Sequence, residues 1–99
     1  MRKEDIEVKV IRREGREFTT LRFELFGVPC LLVVGRYGFV GCGAFDAAAF
    51  EKFGVPAATV RGVSSIDDLL AAPVATANGP ARERGVTEGM NAARALEKL

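Results

Sequence analysis

Histidine and tryptophan are absent from this 99-residue sequence. Without histidine there is no Ser/His/Asp triad, no Cys/His dyad and no His-ligated zinc site. The two cysteines, Cys30 and Cys42, are too few for a disulfide scaffold and too far apart for a CxxC pair. Neither charge sign dominates: 14 Lys+Arg face 13 Asp+Glu, a net charge of +1. That balance supplies no basic field, and no aromatic stacking set accompanies it, which disfavours a nucleic-acid binder. No long apolar run is present either. The stretch Val28–Val34 contains Pro29 and Cys30 and is far too short to span a bilayer. The first residues, Met1-Arg2-Lys3-Glu4-Asp5, are charged and carry no apolar signal region. The expectation is a soluble cytoplasmic chain with reduced thiols, no membrane contact, no metal and no cofactor.

The residues that are present describe one small domain over 1–99, with apolar residues at 48%. Charge is dense before residue 25. Between 25 and 60 it falls only at Arg36, Asp46, Glu51 and Lys52, so the middle of the chain is the expected heart of the core. Ile6, Val8 and Val10 alternate with Glu7 and Lys9 as in a half-buried strand. After the turn signal Glu14-Gly15, Leu21, Phe23 and Leu25 alternate with Thr20, Arg22 and Glu24. Phe18 is out of phase with that apolar set, which suggests a bulge or a late strand start. Leu31-Leu32-Val33-Val34 reads as a strand buried on both faces. A Gly35–Gly38 turn, with Tyr37 as a packing residue at its tip, returns the chain into a strand at Phe39-Val40.

Helical signals follow. Asp46 is placed to cap a helix over Ala47–Phe53, stopped by Gly54. Ala57–Val63 reads as a short strand. Ser65-Ile66-Asp67-Asp68 resembles a capping box opening a helix with Ile66, Leu69 and Leu70. Gly79-Pro80 opens another after Asn78, and Thr87 is placed to cap a last helix over Glu88–Leu99. The spacing predicts an α+β fold: a mixed, mostly antiparallel sheet of about five strands with helices packed on one face.

Several segments occur in an order that resembles a known family. They are Leu31-Leu32-Val33-Val34, Cys42-Gly43-Ala44-Phe45-Asp46, Gly62-Val63-Ser64-Ser65-Ile66-Asp67-Asp68-Leu69-Leu70, then Gly85 and Gly89-Met90. Over roughly residues 25–95 the chain is similar to the YunC-like family, small domains of unknown function from bacteria and archaea. The resemblance implies a compact α+β domain and carries no reaction, substrate or catalytic residue with it.

The residues nominate one stretch for chemistry. In Gly41-Cys42-Gly43-Ala44-Phe45-Asp46 a strand ends in glycines and a helix begins. Glycines let a ligand approach backbone, and a thiol beside a helix start can be activated. Gly41, Cys42, Gly43, Asp46 and Arg61 are therefore the candidate ligand-binding set, for a small anionic ligand clamped by Arg61. Cys42 and Asp46 are the candidate nucleophile and base. The same residues serve equally as a tight junction in which Cys42 fills a hole and Asp46 caps the helix. Asp67 and Asp68 belong to a helix start, and Arg82 and Arg84 to a surface helix. The leading functional expectation is a non-enzymatic ligand- or protein-binding module that associates with itself as a homodimer. The alternative is a small thiol-dependent enzyme using Cys42.

Overall fold

In the computed structural model, which describes residues 1–99, the first three strands form two tight hairpins. They are β1 (Glu7–Arg13), β2 (Arg16–Leu25) and β3 (Val28–Val34). Glu14-Gly15 joins the first pair with φ of 52 and 74°, and Phe26-Gly27 joins the second with φ of 51 and 83°. Two successive left-handed residues are what a type I′ turn needs to match the twist of the flanking strands. Pairing runs without interruption from Glu7↔Arg22 to Arg13↔Arg16 and from Thr19↔Val34 to Leu25↔Val28.

The chain then lays down β4 (Phe39–Gly41), α1 (Ala48–Glu51) and β5 (Ala57–Thr59). This is the one parallel pairing in the sheet, with Phe39↔Ala57 and Gly41↔Thr59. After α2 (Ile66–Ala71), a two-residue β6 (Thr76–Ala77) pairs antiparallel with β5. α3 (Gly79–Glu83) and α4 (Ala92–Leu96) complete the domain. The sheet order is β1-β2-β3-β4-β5-β6, six strands rather than about five, because the short Thr76–Ala77 segment joins the sheet. No helix is long and apolar enough to cross a membrane.

The main core lies on one face of this sheet. Leu31 and Val33 of β3, Val40 of β4, Ala58 of β5 and Ala77 of β6 point into it. They meet Leu69 of α2, Ala81 of α3, and Ala92, Ala95 and Leu96 of α4. Leu31, Val33, Val40, Leu69, Leu96 and Leu99 are wholly buried, each burial worth about 1.5–3 kcal/mol. Helix α1 is the exception to one-sided packing. α1 covers the other face at its β4–β5 end, where Phe39 and Ala57 pack with Ala47, Phe50 and Val55. The Phe39 ring stands edge-on to Phe50 with centroids 4.9 Å apart.

Local signals are overridden in three places. Phe18 produces no bulge; it points to the helix-covered face, where it is buried, while Leu21 points to the opposite face. The strand expected over Ala57–Val63 stops at Thr59, and Gly62 turns the chain with φ +71°. The last helix begins at Ala92, not Glu88. Residues 87–90 instead form a turn, with the Met90 N–H on the Thr87 carbonyl and Gly89 at φ +89°, tied to the preceding loop by Gly89 N–H to the Val74 carbonyl, Val74 N–H to the Met90 carbonyl and a Pro73↔Asn91 bridge. Asn91, rather than Thr87, caps it by accepting the Arg94 N–H at 3.2 Å. Backbone pairing between segments far apart in sequence outweighs helix propensity here.

Candidate functional site

The Gly41–Asp46 junction leaves the carboxyl end of β4 beside the carboxyl end of β5. The Val60 N–H donates to the Gly41 carbonyl at 2.9 Å, and the Val60 carbonyl is the nearest group to Gly43. Gly43 and Arg61 therefore share one end of the parallel pair, where open α/β sheets bind ligands. The five candidates do not converge there. Gly41 is buried, and the space where its Cβ would sit is taken by the Phe45 ring, 2.8 Å away. Cys42 is 3% exposed. Its sulfur accepts the Leu31 N–H at 3.4 Å and faces the Pro29 carbonyl at 3.8 Å. Gly43 is exposed with open space around it. Asp46 is exposed and caps α1, accepting the Ala48 N–H at 3.0 Å.

Arg61 is exposed and makes no hydrogen bond or ion pair to the protein. No surface hollow is lined by Gly41, Cys42, Gly43 or Arg61; Asp46 borders one alongside Glu51, Thr76 and Arg82. Chemically, the Cys42 sulfur is hydrogen-bonded to a backbone amide and a backbone carbonyl and to no side-chain base.

Asn78 is likewise structural. Buried at 4% exposure, its side chain accepts from the Ala57 and Ala81 amides and donates to the Ala47 and Val55 carbonyls. It ties α1, β5 and α3 together. Tyr37 lies exposed at the Gly35–Gly38 turn with the Arg84 guanidinium 3.8 Å from its ring centre.

The sheet itself carries the surface that the local motifs do not reveal. The apolar alternation of β1 and β2 faces away from the helices. Val8 pairs with Leu21, which pairs with Leu32; Val10 pairs with Thr19, which pairs with Val34. Phe23 and Cys30 follow on the same face, then Leu25 and Val28. Val8, Val10, Leu25, Val28 and Val34 are 37–62% exposed. One end of this open face stops at the Arg12–Glu17 ion pair, 3.2 Å long, and the other at the Phe26 turn. On the helix side, by contrast, β1 presents exposed Glu7 and Lys9. The signal was already in the sequence: an apolar set that excludes Phe18 marks a second apolar face, since strand side chains alternate between faces.

This topology defines a small α+β domain, an antiparallel sheet extended by one βαβ unit. The chain belongs to the DUF1805 family, a domain of unknown function, whose pattern matches residues 41–99, and to the YunC-like proteins within it. It is 34% identical over 90 residues to the uncharacterized protein YunC of Bacillus subtilis (strain 168), covering 87% of this chain and 89% of that one. Its fold is also that of TA1206, a protein of unknown function from Thermoplasma acidophilum. That crystal structure superposes with a TM-score of 0.90 at 28% identity, over 95% of this chain and 92% of the other.

Proposed function

We propose that this domain is a non-catalytic binding module whose working surface is the open face of β1–β3. One observation carries the reading: five large apolar residues of a regular sheet stand exposed on a single face. Isolated exposed apolar residues are ordinary; a contiguous patch marks an interaction surface. The buried Cys42, packed in the core and hydrogen-bonded only to backbone groups, favours this reading over thiol catalysis.

A photo-reactive phenylalanine analogue placed at Val10 in cells tests it, with the same analogue at exposed Lys52 as control. The expected result is a discrete cross-linked adduct from position 10 and none from position 52. No adduct from position 10, or equal adducts from both, overturns the reading. In parallel, iodoacetamide at neutral pH should modify Cys42 only as fast as the fold opens. Modification at the rate of a free thiol overturns the non-catalytic assignment.

A further inference from the structure

We infer that the partner of the open face is a second copy of this chain, the two sheets stacked face to face about a two-fold axis; this rests on the binding-module reading above. Three observations support the second copy. The first is charge. Between the Arg12–Glu17 pair and the Phe26 turn, the open face projects no ionised side chain. A two-fold interface brings each patch against itself, so any charge near the axis would meet its own sign. An uncharged, regular apolar sheet face meets that requirement without any complementary partner chemistry. Facing sheets of this kind pack about 10 Å apart and within about 30° of alignment.

The second is area. β1, β2 and β3 are 7, 10 and 7 residues long. At about 4.8 Å between strands and about 3.3 Å per residue, they cover roughly 15 by 25–30 Å. The ring of Phe26, exposed in full, adds on the order of 200 Å². Together these come near the lower end of the about 600–1,000 Å² that each partner contributes to a specific interface.

The third is Phe26 itself. A bulky residue at φ +51° is an outlier, and the type I′ turn it occupies favours asparagine or glycine. The domain therefore holds an aromatic ring in a strained, fully solvated position at the end of the apolar face. Aromatic anchors of this kind carry most of an interface's binding energy. Glu14 shares this backbone at the first turn, so it is the fully exposed ring at Phe26, rather than the strain alone, that points to a use outside the monomer.

Sedimentation velocity on the full chain tests the inference, with the variants Val10→Lys, Val8→Lys and Phe26→Asn. The wild-type chain should sediment at twice the 10.6 kDa of one chain at about 10 µM. Val10→Lys and Val8→Lys should sediment as single chains with unchanged circular dichroism, since both positions are solvent-exposed in the monomer. Phe26→Asn should weaken association at least about 10-fold while raising the melting temperature of the dissociated chain, a combination that a merely structural residue does not give. A wild-type chain that stays at one-chain mass up to about 100 µM overturns the second copy. The position-10 cross-link then separates the two claims: an adduct to a different protein preserves the binding-module reading, and no adduct removes both. A dimer that neither lysine variant dissociates also overturns the second copy on this face, because the contact then lies elsewhere, and the position-10 cross-link again decides the binding-module reading.

Discussion

The Phe45 ring occupies the space beside Gly41 that a side chain would fill, with Cδ2 2.8 Å from where a Cβ would stand. Gly41 is thus a packing glycine, and Gly43, two residues on, is not. Gly41→Ala should destabilise the fold by about 1–3 kcal/mol through overpacking. Gly43→Ala should stay within about 0.5 kcal/mol, since its φ is not left-handed and its nearest neighbour is 3.9 Å away. Urea denaturation of the two variants checks the contrast, and equal effects would contradict it.

Asn78 makes four side-chain hydrogen bonds from a buried position. Asn78→Ala leaves two amides and two carbonyls to find other partners and removes the α3 cap. A loss of at least about 3 kcal/mol follows from the cost of unsatisfied buried groups. Asn78→Asp should be nearly as costly, because a carboxylate cannot donate to the Ala47 and Val55 carbonyls. Thermal unfolding followed by circular dichroism measures both, and a mild effect of either would mean that those groups are satisfied in another way.

Cys30 and Cys42 should not form an intramolecular disulfide. Cys42 lies in the helix-side core, whereas Cys30 pairs with Phe23 on the open face. A disulfide needs Cβ atoms about 3.5–4.5 Å apart with converging directions, which opposite sheet faces do not provide. Mass measurement of freshly purified, non-reduced protein should show both thiols free. A loss of two hydrogens in the monomer would disprove the assignment of faces.

The first hairpin turn is not optimal for its geometry. Glu14 adopts φ 52° before Gly15, where asparagine is preferred. Glu14→Asn should raise stability by about 0.5–1 kcal/mol, read as a higher urea midpoint at unchanged slope. An unchanged or lower midpoint would show that Glu14 contributes an interaction that outweighs its backbone cost.

Arg61→Ala should leave stability within about 0.5 kcal/mol, because the side chain is exposed and unpaired. A larger loss in urea titration would reveal a structural contact for the guanidinium.

Much of the architecture was legible from local pattern. The period-two alternation in β1 and β2, the Glu14-Gly15 turn and the Ser65 cap all act within a few residues, so each appears where the chain alone places it. The candidate junction was legible only as a junction. Gly41, Cys42, Gly43 and Asp46 do link a strand to a helix, but nothing local reveals that the Phe45 ring turns back onto Gly41. The start of α4 was not legible either, because it depends on pairing between residues 89–91 and 73–74.

The sequence by itself determined that Val8 and Val10 of β1, and Leu21, Phe23 and Leu25 of β2, each line one face of their strand, with Phe18 on the opposite face of β2, because alternation is a property of the strand alone. Only the tertiary structure decided which of those faces the helices cover. The covered face of β2 is the one with Phe18 and Thr20; the face with Leu21, Phe23 and Leu25 is left open. The reason is geometric. β3, β4 and β5 place Leu31, Val33, Val40 and Ala58 on one side, where α2 and α4 bury them most fully. Hairpin register then carries β2 and β1 along as a rigid extension of that sheet, whichever of their faces is the more apolar.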